Sequence, residues 1–263
     1  MEIFGYIALL FVGLLLGTFG GGGAILSVPI LVYLFSLDTV TSTAYSLFIV
    51  GNTSLVGCVL KYRTQMVDIR TAALFGIPSL AAIFVTRKWI VPNIPEVLLY
   101  TEGFSYTKRG LILGLFALFM ILSAKPMIAQ NWSLGQGSRQ GDNGVFMVPA
   151  GIVTGFLTGL VGAGGGFIVI LVLLHFTALP FKTIVGTTLL IVSANSLIGF
   201  TGDMLNRAID WPFLLLITGL AMTGIFLAGH FTRKLANEQL QVAFGWFVLF
   251  MGVTIMLREI TFV

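Results

Sequence analysis

Two glycine clusters are the part of this sequence best able to do chemistry. The first, GTFGGGGA, covers residues 17–24, and the second, GLVGAGGG, covers residues 159–166. Consecutive glycines cost about 1 kcal/mol each in a helix interior, so a helix should break at both clusters. A helix that begins after such a break points free backbone N–H groups and the positive end of its dipole at one spot. Both clusters are therefore predicted to bind an anion.

The predicted anion site combines cluster residues with polar residues of the helix that follows each cluster. In the clusters they are Gly20, Gly21, Gly22, Gly23, Ala24, Gly162, Ala163, Gly164, Gly165 and Gly166. In the following helices they are Ser46, Asn52, Thr187, Thr188 and Asn195. An unpaired amide is costly in hydrocarbon, so both asparagines are expected to face protein, water or substrate. Ser46 and Thr188 are the preferred hydroxyls for a shared pocket.

Other interpretations of these residues remain. Close helix packing uses G-x-x-x-G spacing, and it is the favoured interpretation for Gly13 and Gly155, so that a Gly13→Ala change is expected to be mild. The same interpretation stays open for the clusters. Serine and threonine hydroxyls often bond the backbone of their own helix. A nucleotide-binding phosphate loop is excluded, because neither cluster is followed by Lys-Ser/Thr or lies between a strand and a helix.

Membrane-spanning helices would have to position these residues. Residues counted as hydrophobic make up 57% of the 263 residues and charged residues only 9%, whereas a soluble domain carries about 25% charged residues. Apolar runs repeatedly reach the ~18 to 20 residues that cross a hydrocarbon core. The predicted fold is an all-α polytopic membrane helix bundle. Its eight apolar segments are residues 3–35, 40–60, 69–86, 110–124, 145–177, 182–201, 211–231 and 240–257.

The first apolar segment of each half is too long for one transmembrane helix. Residues 3–35 and 145–177 would each form about 50 Å of helix against a hydrocarbon core of ~30 Å. Each of these segments contains one glycine cluster. We expect two shorter helices that meet at an unwound glycine turn, arranged as a re-entrant V or as a broken crossing. Unpaired backbone at membrane depth survives only where protein buries it or where it lines a cavity.

The two halves of the chain are copies of one unit. A shift of 142 residues (155 − 13 = 142) aligns them without a gap. It places Gly13, Gly17, Gly20, Gly22, Gly23, Thr41, Leu47, Gly57 and Asp68 on Gly155, Gly159, Gly162, Gly164, Gly165, Thr183, Leu189, Gly199 and Asp210. Such a register indicates a duplication. The predicted organisation is a first membrane repeat (1–124), a polar linker (125–144) and a second membrane repeat (145–263).

Ionisable residues are predicted to lie outside the membrane interior. All 10 Asp and Glu residues lie at or beyond segment ends, and no Lys or Arg lies within the core of a segment. The sequence therefore offers no intramembrane acid as a proton carrier, and it has no catalytic constellation or metal-binding cluster. Its net charge of +4 is spread over short loop clusters, which is typical of membrane loops and not of nucleic-acid binding. We predict no enzyme activity and no cofactor.

Several motifs together are typical of one known family of membrane proteins. They are the duplicated glycine pattern with Pro29 behind its first copy, and the Ser/Thr-bearing helix that follows each copy. A basic stretch ending in Asp at residues 61–68 is repeated at residues 207–210, and residues 233–259 close the chain. On these motifs the sequence resembles the TauE/SafE sulfite exporter family over essentially its whole length. The second repeat has Leu171 in place of Pro29, so the repeats need not contribute equally.

The resemblance implies movement of sulfur-containing anions, such as sulfite or organosulfonates, across the bacterial cytoplasmic (inner) membrane. From the sequence we expect a multi-pass secondary transporter or permease whose partners are a small anionic substrate and membrane lipid. A passive anion channel and a non-transporting membrane scaffold or assembly protein are the alternatives. Oligomeric state stays open, a homo-oligomer included. Topology also stays open, although inverted repeats are favoured because they place the two glycine turns face to face.

Overall fold

The computed structural model is a helical bundle. It describes residues 2–95, 97–101, 104–128, 144–161, 165–177, 179–204, 209–231 and 237–261. In chain order its helices are α1 (Glu2–Phe19), α2 (Ser27–Tyr33), α3 (Thr39–Tyr62), α4 (Ile69–Val85), α5 (Val91–Asn93), α6 (Lys108–Ile128), α7 (Gly144–Val161), α8 (Gly166–Phe176), α9 (Phe181–Met204), α10 (Trp211–Phe231) and α11 (Asn237–Thr261). A 3₁₀ helix, Gly20–Leu26, joins α1 to α2, and a π-helical turn, Thr86–Ile90, joins α4 to α5.

The predicted all-α membrane fold is confirmed. Within the described ranges, four helical stretches are long and apolar enough to cross a membrane: Thr39–Tyr62, Ile69–Asn93, Lys182–Met204 and Trp211–Ala228. Shorter apolar helices, Phe4–Phe19, Phe146–Val161 and Gly245–Leu257, lie in three of the other predicted segments, and α6 covers the fourth. The sequence did not predict the antiparallel hairpin of β1 (Val97–Thr101) and β2 (Phe104–Thr107), which pairs Thr101 with Phe104 ahead of α6.

Each glycine-broken segment returns to the end where it starts. The rings of Tyr6 and Phe35 lie 5.2 Å apart, although the residues stand at opposite ends of the first segment. In the second half, the rings of Phe146 and Phe176 stack at 6.5 Å. A Cβ atom added to Gly23 would overlap the backbone of Leu16, whereas seven residues of straight helix would separate the two by about 10 Å. Both segments are therefore re-entrant Vs.

The equivalent helices α3 and α9 run antiparallel. Near one end of the pair, Gly57 of α3 meets Leu189 of α9, and near the other end Leu47 meets Gly199. These two contacts are the same contact seen from each repeat, because 57 + 142 = 199 and 47 + 142 = 189. A pseudo-two-fold axis thus relates the two units, and it reverses the direction of the equivalent helices.

Each V packs against a helix of the opposite unit. Helix α1 lies along α10, and α7 lies along α4. A Cβ atom at Gly13 would overlap the carbonyl oxygen of Ala221, and one at the equivalent Gly155 would overlap that of Ser79. Close packing by these glycines is as predicted. The contact at Gly13 argues against the expectation that Gly13→Ala is mild, because the obstructing atom belongs to a neighbouring backbone that cannot move independently.

Candidate functional site

The two glycine breaks are in direct contact between the halves of the molecule. A Cβ atom added to Gly21 would overlap the Cα atom of Gly166, and one added to Gly166 would overlap the backbone of Gly21. Both glycines are buried. Glycine is the residue that allows two backbones to approach so closely. The duplication therefore brings one break from each unit to a single place.

The first break is a 3₁₀ helix, whereas the sequence suggested an unwound turn. Gly20 adopts a left-handed conformation with φ +65°, and the 3₁₀ helix continues from it to Leu26. Consecutive glycines end the α-helix, but they do not prevent a tighter helix from forming. In a 3₁₀ helix the N–H groups after the first turn bond carbonyls of the same stretch. Any N–H groups that remain for a ligand therefore lie near Gly20 and Gly21.

The second break ends at a left-handed glycine and a buried hydroxyl. Gly165 has φ +61°, and α8 begins at the next residue. A Cβ atom at Gly165 would overlap the hydroxyl oxygen of Thr158. That hydroxyl is buried and has no hydrogen-bond partner among the described residues. Three predicted site residues, Gly162, Ala163 and Gly164, lie outside the described residues.

The equivalent hydroxyls of Ser46 and Thr188 are in different situations. The hydroxyl oxygen of Ser46 lies 2.5 Å from that of Ser27, which donates to the carbonyl oxygen of Ala24 at 2.6 Å. Ser46 is thereby linked to the first break. In the second repeat, the residue equivalent to Ser27 is Val169, which cannot bond Thr188. The buried hydroxyl of Thr188 has no hydrogen-bond partner in the described part of the chain. Burying such a hydroxyl unpaired is costly.

The other predicted polar residues do not converge on the breaks by any described contact. Asn195 is fully buried, and its side-chain amide donates to the hydroxyl of Ser79 at 2.6 Å. Its carbonyl oxygen is buried with no described partner. The amide of Asn52 bonds the carbonyl oxygen of Phe48 in its own helix at 2.9 Å. Thr187 accepts a hydrogen bond from the backbone of Asp68 at 2.9 Å, which places it at a loop.

Comparison with known proteins identifies the family. The family model described as "Sulfite exporter TauE/SafE" matches residues 6–255. The chain belongs to this family. The resemblance inferred from the glycine repeats is thereby confirmed, and this TauE/SafE protein is a multi-pass membrane transporter and not an enzyme.

Curated relatives of the TauE/SafE chain have matching names. It is 28% identical to the probable membrane transporter protein YdhB of Bacillus subtilis, over 88% of this chain and 90% of the relative. It is 25% identical to YunE of the same organism, also a probable membrane transporter protein, over 89% and 90%. A probable membrane transporter protein of Methanocaldococcus jannaschii is 28% identical over 72% and 67%. No solved structure matches the chain significantly.

Sequence reasoning missed a buried ion pair in this TauE/SafE protein. Arg87 is fully buried in the π-helical turn, and its Nη1 atom lies 3.1 Å from the Oδ2 atom of Asp203, itself buried near the end of α9. The expectation that no Lys or Arg lies within the core of a segment was wrong for Arg87, which lies inside the stretch Ile69–Asn93. Asp203 does lie at the end of its helix, as expected of the acids, but it is buried there. Two adjacent basic residues, Arg87 and Lys88, indicate the end of an apolar segment, but the helical stretch continues to Asn93.

Proposed function

We propose that this protein is a secondary transporter that moves a small sulfur-containing anion, such as sulfite or a sulfonate, across the cytoplasmic membrane. The contact between Gly21 and Gly166 is the observation that carries the proposal. Secondary transporters with inverted repeats bind substrate near mid-depth, where broken helices of the two repeats meet. The name of the family model, a sulfite exporter, favours a sulfur oxyanion as the substrate.

The chemistry of binding would rest on polar groups of the two breaks and the helices beside them. Hydrogen bonds to charged groups contribute about 1.5–3 kcal/mol each. Two or three of them would approach the ~4 kcal/mol that corresponds to millimolar affinity. Weak binding of this kind suits a carrier that must release its cargo. Thr188 is the hydroxyl that we assign to substrate, because it is buried and has no bond to lose within the described structure.

Inverted repeats would supply the alternating exposure of such a site. Each half would contribute one re-entrant V and three crossings, an odd number, so the second half would enter the membrane from the opposite side. The antiparallel direction of α3 and α9 supports this topology. Rocking of one unit against the other would then open the site to each side in turn.

Flux into liposomes tests the proposal. The purified protein should produce saturable uptake of radiolabelled sulfite, and unlabelled sulfite trapped inside should accelerate that uptake by exchange. Flux that neither saturates nor responds to trapped substrate would identify a passive channel. A folded protein that moves neither sulfite nor a sulfonate would refute the proposed substrate class.

A pair of threonine variants tests the assigned hydroxyl. Thr188→Val keeps the shape of the side chain and removes an unbonded hydroxyl, so the folded protein should be as stable as before while sulfite uptake falls. The matched control is Thr201→Val on the same helix, because Thr201 is exposed and bonds its own backbone at Ile198. Equal uptake by both variants would remove Thr188 from the site.

A further inference from the structure

The π-helical turn after α4 holds the largest fully buried side chain of the described residues, that of Arg87. Its Nη1 atom donates to the Oδ2 atom of Asp203 at 3.1 Å and to the hydroxyl oxygen of Thr43 at 3.0 Å. Thr43 lies on α3 and Asp203 on α9, so the guanidinium links both antiparallel helices at one end of the pair. Single-turn π-helices inside α-helices occur frequently at functional sites.

Two glycines bring the second half's backbone against this turn. A Cβ atom at Gly202 of α9 would lie 3.2 Å from the Cβ atom of Arg87. One at Gly159 of α7 would lie 2.7 Å from the Cβ atom of Thr86. Helix α7 ends at Val161, two residues beyond Gly159. The second glycine break therefore begins within one helical turn of Gly159, the residue that contacts Thr86.

The pseudo-two-fold axis supplies an internal control for the role of this ion pair. The positions equivalent to Arg87 and Asp203 carry Gly229 and Lys61 (87 + 142 = 229; 203 − 142 = 61). The stretch of α10 equivalent to the start of the π-turn is regular α-helix up to Phe231. The same helix packing thus forms in the other unit without an ion pair, so the fold of the repeat does not require one.

An ion pair that the fold does not require is expensive to bury. Removing two charges from water costs several kcal/mol per ion, and their mutual attraction often does no more than offset it. Ionisable residues within membrane-spanning helices are accordingly found where substrates or ions pass, and Arg87 and Asp203 both lie within such helices. A guanidinium matches an oxyanion better than any other side chain does, because its N–H groups form a planar fork.

We propose that Arg87 is the charged residue that binds the transported oxyanion, and that Asp203 is an internal counter-ion which the oxyanion replaces on the guanidinium. This inference rests on the proposed function, and it adds the positive charge that the glycine breaks lack. Asp203 neutralises Arg87 when no substrate is bound, so the buried guanidinium has an anionic partner in both states. The hydroxyl of Thr43 donates to the carbonyl oxygen of Val40 at 2.8 Å and accepts from Nη1 at 3.0 Å, so it holds the guanidinium in place.

Binding of sodium sulfite to three variants, measured by calorimetry at constant ionic strength with sodium chloride as reference, tests the proposal. Asp203→Asn removes the competing carboxylate and keeps Arg87, so sulfite affinity should rise by at least about threefold. Arg87→Gln with Asp203→Asn removes both charges without stranding either, and sulfite affinity should fall by at least about tenfold. Lys88→Gln is the control, because Lys88 lies over the rings of Phe84 and Trp89; its affinity should not change.

The outcomes separate this inference from the proposed function. Unchanged sulfite affinity in both Asp203→Asn and the double variant would show that the pair is only structural. That result would overturn the inference but not the proposed function. A wild-type protein that binds and moves no sulfur oxyanion would instead overturn the proposed function. Asp203→Asn leaves the buried Arg87 without its carboxylate and is the variant more prone to misfold. If it is not recovered folded, the double variant decides alone: wild-type sulfite affinity would overturn the inference, and a fall of at least about tenfold would support it.

Discussion

The loops after α3 and α9 are held by equivalent hydrogen bonds made with different side chains. The backbone N–H of Asp68 donates to the hydroxyl of Thr187 at 2.9 Å, and that of Asp210 donates to the hydroxyl of Tyr45 at 2.8 Å. The two bonds are related by the repeat, since 68 + 142 = 210 and 45 + 142 = 187. A tyrosine hydroxyl lies several bonds further from its backbone than a threonine hydroxyl does.

The two ends of the bundle therefore differ in how closely the helices approach the loops. At the Thr187 end, a Cβ atom on Gly186 would overlap the carbonyl oxygen of Met66, so α9 lies directly on the loop. The equivalent residue at the other end is Ala44. The Thr187 end is thus closely packed, and at the other end the longer side chain of Tyr45 makes the corresponding bond.

The largest effect is expected from a labelling experiment that tests whether the two ends face opposite sides. Asp38 and Lys182 are exposed and lie at the starts of the antiparallel helices α3 and α9. In a Cys58→Ser background, Asp38→Cys and Lys182→Cys should react with a membrane-impermeant maleimide from opposite sides, an all-or-none difference. Labelling of both from one side would contradict inversion and would remove the basis for comparing the ends.

The next largest effect is a loss of stability in Gly186→Val, because the valine side chain would overlap the carbonyl oxygen of Met66. Overpacking costs about 1–3 kcal/mol, and a backbone obstacle places the cost near the upper end. We expect a clear fall in the melting temperature of the detergent-solubilised protein. The reciprocal change, Ala44→Gly, should cost only the ~0.5–1 kcal/mol of a glycine inside a helix. Equal losses would mean that the two ends are packed alike.

The two hydrogen bonds themselves should differ in strength. Thr187→Val keeps the side-chain shape but leaves the N–H of Asp68 without its partner, which costs about 1–3 kcal/mol where water has little access. Tyr45→Phe should cost less, because Asp210 is exposed and water can replace the hydroxyl, whereas Asp68 is half-buried. Chemical denaturation of both variants measures the difference. A larger loss for Tyr45→Phe would reverse the assignment of the tight end.

The sequence predicts the helices of this protein well, for a physical reason. Lipid offers the backbone no hydrogen bonds, so an apolar run of sufficient length has little choice but a helix. Glycine clusters are equally informative because they mark both breaks, and a single register of 142 residues relates the contacts of the two units. The hairpin of β1 and β2 was not predicted because it lies between apolar segments, where this constraint does not apply.

Arg87 shows where prediction from sequence stops. Two adjacent basic residues after an apolar run ordinarily mark the end of a membrane segment. The burial of Arg87 depends on a π-helical turn, on the approach of Gly159 and Gly202, and on the carboxylate of Asp203. All three of these partner residues belong to the other repeat. The pairing is therefore set by tertiary structure, and no local sequence pattern around Arg87 predicts it.

The smallest effect is expected at Gly219, a glycine of α10 with open space around it. No atom lies within 4 Å of a Cβ atom added there, in contrast to Gly13, whose added Cβ atom meets the backbone of the same helix α10 at Ala221. The equivalent position in the other repeat carries Ile77, which is 65% exposed, so a large side chain is tolerated at this site of the unit. Replacing glycine by alanine in a helix raises the free energy of unfolding by about 0.4–1 kcal/mol where the conformation is compatible.

Gly219→Ala should accordingly leave the melting temperature unchanged or raise it slightly, with normal sulfite uptake. Gly13→Ala should lower the melting temperature markedly. Equal melting temperatures for the two variants would contradict the claim that Gly13 is needed for the close contact of α1 with α10.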